Sequence, residues 1–123
     1  MEVLYRSTRG NGSTVTASNA ILKGLSEDGG LFVPDQIPVL DVPMEQLAQM
    51  SYQEVAYEVM SRFLTDFTEE ELKKCIQSAY DKKFDTDVIA PLVKADGAYY
   101  LELFHGSTIA FKDMALSILP YLL

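Results

Sequence analysis

The sequence holds one cysteine, one histidine and no tryptophan in 123 residues. A lone cysteine excludes an intramolecular disulfide, and one Cys with one His excludes a zinc site built on the usual ligand spacing. Positive charge is also scarce, with 10 Lys and Arg against 18 Asp and Glu and a net charge of −8. Nucleic acid and anionic membrane are therefore poor partners, since both need a basic surface to displace counterions. No run approaches the roughly 20 apolar residues that cross a bilayer. The opening Met1-Glu2-Val3-Leu4-Tyr5-Arg6 lacks a basic segment followed by an apolar core, so no secretory signal is read there, and a reducing, cytoplasmic home is expected.

What is present is enough for one ordinary core, at 48% hydrophobic residues. Val3 to Ser7 reads as a strand and Arg9-Gly10-Asn11-Gly12-Ser13 as a turn, because Asn-Gly favours a hairpin. The glycines there lack the lysine of a phosphate-binding loop. Ser18 is placed to cap a short helix through Lys23, closed by Gly24. Asp28-Gly29-Gly30 turns the chain into Leu31-Phe32-Val33, and Pro34, Pro38 and Pro43 predict an extended connector.

Two amphipathic helices follow. Ser51-Tyr52-Gln53-Glu54 and Thr68-Glu69-Glu70-Glu71 are capping boxes, preceding the stripes Val55, Ala56, Val59, Met60, Phe63, Leu64 and Leu72, Cys75, Ile76, Ala79, Tyr80. Adjacent carboxylates do not share a helix face and favour a helix N-terminus, so Glu69 to Glu71 read as structure rather than a metal or acid/base site. Cys75, inside its stripe, reads as a small hydrophobe. Pro91-Leu92-Val93-Lys94 and Tyr99 to Phe104 read as strands around an Asp96-Gly97 turn.

The stretch Phe104-His105-Gly106-Ser107-Thr108-Ile109-Ala110-Phe111-Lys112-Asp113 concentrates the reactive groups. Ser107 or Thr108 is predicted to N-cap an apolar helix from Phe111 to Leu119, placing Lys112 in its first turns. The helix dipole and the apolar neighbours Ile109, Ala110, Phe111, Met114 and Ala115 would favour a neutral amine, the nucleophile of Schiff-base chemistry. A solvated surface lysine is the commoner occupant of such a position, and position alone leaves both readings open. His105 reads either as a loop-fixing hydrogen bonder or as a catalytic acid, and Asp113 as structural.

Leu101-Glu102-Leu103-Phe104-His105-Gly106-Ser107-Thr108-Ile109-Ala110-Phe111-Lys112-Asp113 closely resembles the pyridoxal-phosphate lysine motif of the threonine synthase family, usually met as LELFHGPT-[hydrophobic]-AFKD. Ser107 stands where the family generally has proline. A second block, Gly24-Leu25 followed by Asp28-Gly29-Gly30-Leu31-Phe32-Val33-Pro34, resembles the family's GL-x-x-DGGL-[FY]-VP signature. Tyr5-Arg6-Ser7-Thr8-Arg9-Gly10 is similar to its opening strand.

The resemblance implies an α+β N-terminal domain over residues 1–88, a helix pair with short strands. Residues 89–123 would then begin a fold-type II, tryptophan-synthase-like α/β domain. It implies pyridoxal 5'-phosphate as cofactor, with Lys112 as the catalytic and cofactor-binding lysine, and His105, Ser107 and Thr108 near the substrate. The reaction implied is a lyase step of threonine biosynthesis, O-phospho-L-homoserine and water giving L-threonine and phosphate. Other readings are a related phospholyase with another substrate, or a noncatalytic interaction module built on the helix pair. The apolar ending Ser117 to Leu123 predicts an N-terminal piece of a longer polypeptide, inactive alone, whose exposed patch invites self-association unless the remainder of the catalytic domain covers it.

Overall fold

A computed structural model describes residues 1–123. The first strand, β1 (Tyr5–Ser7), pairs antiparallel with β2 (Phe32–Pro34), Arg6 lying opposite Val33. The Asn-Gly turn was expected to return the chain as a hairpin, but it gives only a single bridge between Tyr5 and Val15. The longer pairing goes to the later segment because Asp28 gathers both ends of it. Its carboxylate accepts from the Ser7 hydroxyl at 2.6 Å, from the Gly30 N–H at 2.9 Å and from the Asn11 N–H at 3.3 Å. Arg9 Nη1 donates to the Asp28 carbonyl at 2.8 Å. Two sequence blocks over twenty residues apart thus form one latch. At Gly30 a Cβ would fall 2.1 Å from Ser7 Oγ, so any larger residue would have to displace the hydroxyl that Ser7 gives to Asp28.

Helix α1 (Ala17–Lys23) is capped by Thr16, two residues before the expected Ser18. Ser18 is occupied elsewhere: its backbone N–H and hydroxyl both donate to Asp66, at 3.1 and 2.5 Å. Gly24 closes the helix at a positive φ of 71°, where the pattern predicted the helix to end. The proline-rich connector carries one unexpected turn of helix, α2 (Met44–Leu47), beginning after Pro43, a residue whose fixed φ suits a helix start.

Helices α3 (Tyr52–Phe63) and α4 (Glu69–Ala79) begin at the two expected capping boxes. In the first, Ser51 N–H donates to Glu54 Oε2 at 2.7 Å and Glu54 N–H to Ser51 Oγ at 3.2 Å. In the second, Thr68 N–H donates to Glu71 Oε2 at 2.8 Å and Glu71 N–H to Thr68 Oγ1 at 3.3 Å. The apolar stripe of α4 is buried at Leu72, Ile76, Ala79 and Tyr80, whereas on α3 only Ala56 is.

The core joins Ala56, Ile76, Ala79 and Tyr80 to Phe84, Ile89 and Ile118, so residues on both sides of position 88 share it. Tyr80 is its centre, edge-on to Tyr52 at 4.9 Å and tilted against Phe84 at 5.8 Å. Full burial of a side chain of this size contributes roughly 1.5–3 kcal/mol.

Strands β3 (Leu92–Ala95) and β4 (Ala98–Leu101) form a hairpin with Leu92 opposite Leu101. Asp96 and Gly97 have φ of 48° and 77°, the paired left-handed geometry of the turn predicted from Asp-Gly. The strand expected to reach Phe104 ends at Leu101. The single helix expected from Phe111 to Leu119 arrives as two short ones, α5 (Asp113–Leu116) and α6 (Leu119–Leu122). Pro120, which has no N–H to continue α5, lies in the first turn of α6, where none is needed. No helix is long and apolar enough to cross a membrane.

Candidate active site

The turn between β4 and α5 is held from inside by Asp113. Its buried carboxylate accepts the Thr108 N–H at 2.8 Å and the Thr108 hydroxyl at 2.6 Å. Those bonds hold the Asp113 carboxyl below the usual range. Gly106 packs directly against it: a Cβ at that position would stand 2.6 Å from Asp113 Cβ and Oδ2. The Ile109 N–H donates to the Gly106 carbonyl at 3.1 Å, and Ile109 adopts φ 61°, a left-handed conformation that β-branched residues avoid.

This geometry corrects the expected capping. Thr108 spends its donors on Asp113 and Ile109 leaves helical space, so neither Ser107 nor Thr108 caps the helix. Lys112 is the N-cap of a four-residue helix. Nor do the expected apolar neighbours enclose it, since Ile109, Ala110, Phe111 and Ala115 are exposed like Lys112 itself. The lysine enters no salt bridge. It borders an apolar depression lined by Tyr52, Leu101, Leu103, Phe111 and Met114. An amine so placed is accessible and free of a carboxylate partner.

His105 sits between two acids. Nδ1 is 2.5 Å from Asp85 Oδ1 and Nε2 is 2.7 Å from Glu102 Oε2, while the Asp85 N–H donates to the His105 carbonyl at 3.1 Å. Hydrogen bonding to Glu102, then to Asp85, raises the imidazole pKa above its ordinary value. Ser107 is exposed on the outside of the turn. Sequence reasoning passed over Asp85 and Glu102. Glu102, three residues before the histidine on an extended segment, carried a weak signal, and Asp85, twenty residues away, carried none.

Cys75 is partly buried and its thiol donates to the Tyr121 carbonyl at 3.1 Å. Burial and the nearby Glu71 push the thiol pKa up, which disfavours the nucleophilic thiolate. Its role is packing.

A family model described as the threonine synthase N terminus matches residues 4–80, which takes in the Asp28 latch and both capped helices. The chain belongs to the threonine synthase family. Threonine synthase of Schizosaccharomyces pombe is 43% identical over 122 residues, covering 96% of this chain and 24% of that protein. Threonine synthase of Pseudomonas aeruginosa is 39% identical over 124 residues, covering 97% and 26%. A crystal structure of PLP-bound threonine synthase from Brucella melitensis superposes with a TM-score of 0.87 at 36% identity, over 98% of this chain and 26% of that one. The small α+β architecture is consistent with an N-terminal portion of such threonine synthases, and the chain spans about a quarter of the length of these relatives.

Proposed function

We propose that this chain is the N-terminal part of a threonine synthase, converting O-phospho-L-homoserine and water to L-threonine and phosphate in the cytoplasm. In this reading residues 1–88 form the N-terminal domain, and residues 89–123 open a fold-type II catalytic domain completed by the remainder of the enzyme. The isolated chain is inactive. The observation that carries the reading is Lys112: an exposed, unpaired amine inside the lysine motif of a chain whose first two thirds match the family.

Pyridoxal 5'-phosphate supplies an aldehyde for an amine to condense with and a ring that accepts electron density from the substrate. The residues present fit its aldehyde end. Lys112 has no acid to neutralise it, and the apolar rim of Leu101, Phe111 and Met114 offers a face for a planar ring. Lys112 is the catalytic and cofactor-binding residue, holding the cofactor and, when freed as an amine, moving protons at the substrate's α and β carbons. Of the two residues expected near the substrate's anionic groups, Ser107 is assigned to them, and Thr108, whose N–H and hydroxyl both go to Asp113, frames the turn. The Ser107 hydroxyl is free to donate, being exposed on the outside of the turn.

The test is borohydride reduction of the complete, cofactor-loaded enzyme followed by peptide mapping. The pyridoxyl label is expected on Lys112, and Lys112→Ala is expected to abolish threonine formation. A label on any other side chain overturns the assignment. A related phospholyase would label Lys112 equally but leave phosphohomoserine untouched.

A further inference from the structure

We infer that His105 is a positioning residue: a doubly protonated imidazole that bridges Asp85 and Glu102 and thereby sets the turn that presents Lys112. For its functional arm this rests on the role proposed for Lys112. The bridge itself does not.

The argument is one of donor supply. An ionised carboxylate only accepts, and a neutral imidazole has a single N–H to give. Both ring nitrogens of His105 nevertheless lie at hydrogen-bond distance from carboxylate oxygens, Nδ1 from Asp85 at 2.5 Å and Nε2 from Glu102 at 2.7 Å. Both contacts are satisfied only when the unit retains the second proton. That proton resides on the ring, because imidazole is more basic than either carboxylate by about two pK units.

The charged groups facing the ring are these two acids, and hydrogen bonding to them raises its pKa. Their shelter differs. The Asp85 side chain is 75% exposed and that of Glu102 is 26% exposed, so solvent screens the first contact more.

The bridge ties together three segments. Asp85 follows core residue Phe84. Glu102 is fastened to the hairpin base through its N–H to the Pro91 carbonyl at 2.9 Å. His105 precedes Gly106, where the Asp113-braced turn begins. With both nitrogens engaged, the imidazolium has no N–H left for a substrate. Deprotonation removes one contact, and the more exposed Asp85 side is released first.

Because the 123-residue chain has one histidine, its ring nitrogens give unambiguous ¹⁵N signals. Below pH 6.5 both are expected protonated, and the midpoint is expected above 6.5. Glu102→Gln is expected to lower that midpoint more than Asp85→Asn. The amides of Gly106 to Lys112 should shift with the same midpoint. A single N–H below pH 6.5, a midpoint at or below 6.5, or turn amides indifferent to the titration overturns the bridge.

In the complete enzyme, His105→Gln should lower kcat about tenfold with KM within twofold, since small misplacements of reacting groups cost rate rather than binding. A raised KM with kcat unchanged would overturn the positioning role and give His105 to the substrate. If His105→Gln does not fold, Glu102→Gln, which keeps the ring, is read in the same way. Normal ring signals with a borohydride label away from Lys112 would sink the proposed function and leave the bridge intact.

Discussion

The phenolic hydroxyl of Tyr80 donates to the carbonyl of Met114 at 2.6 Å. Tyr80 ends α4, and Met114 lies two residues past Lys112, so one side chain couples the helix pair to the lysine segment. Gln53 adds a second tie, donating to the Tyr80 carbonyl at 2.7 Å from α3. Burial pushes the Tyr80 phenol well above its ordinary pKa, so it keeps its hydrogen for this bond throughout the neutral range.

Tyr80→Phe keeps the ring contacts with Tyr52 and Phe84 and loses only the hydroxyl. It should cost about 1 kcal/mol, the net worth of one such bond, with Met114 left short of a partner. Urea unfolding measures this. Tyr80→Ala should cost about 3–5 kcal/mol through the cavity it leaves.

Gly106→Ala should destabilise the chain by roughly 1–3 kcal/mol, because the added methyl must displace Asp113 and with it both Thr108 bonds. Hydrogen exchange localises the effect. Faster exchange at the Thr108 amide, with α3 amides changed little, is the expected pattern.

Ile109→Gly should raise stability by up to about 1 kcal/mol. Left-handed φ costs an ordinary residue roughly 1–2 kcal/mol, and the greater freedom of glycine in the unfolded chain returns part of that. Ile109→Val, which keeps the strain, should show no gain in the same thermal melts.

Stability should fall on both sides of weakly acidic pH. Asp28, hydrogen-bonded first by Ser7, and Asp113, by Thr108, have pKa values lowered in the folded chain, as do the capping Glu54 and Glu71. Their contribution is complete above the ordinary carboxylate values of 3.8 and 4.5 and is lost as pH drops through the lowered ones. His105 has the opposite sign: its raised pKa contributes fully below 6.5 and is lost as pH rises through the folded value. Urea midpoints across pH 3 to 9 (a range of about six units spanning both groups) check this, and His105→Gln should remove the alkaline decline alone.

Local chemistry was legible in the sequence and long-range partnership was not. Each capping box closes within four residues, so Ser51 with Glu54 and Thr68 with Glu71 were readable directly. Asp96-Gly97 named its own turn. The preference of β1 for β2 depends on Asp28 reaching back to Ser7, and Thr16 caps α1 because Asp66, far along the chain, takes Ser18. The segment after Lys112 departs from its apolar pattern for the same reason. Apolar spacing favoured one helix, but the carboxylate of Asp113 folds the turn inward and Pro120 restarts the chain. The motif around Lys112 was plain as a pattern, while the acids holding His105 emerge only when separate segments meet.

Gly30 shows how little freedom the latch leaves. With Ser7 Oγ 2.1 Å from where a methyl would sit, any other residue must push that hydroxyl aside and break the bond it gives to Asp28. A randomised codon at this position, screened for soluble folded protein, should return the parental amino acid far above every other.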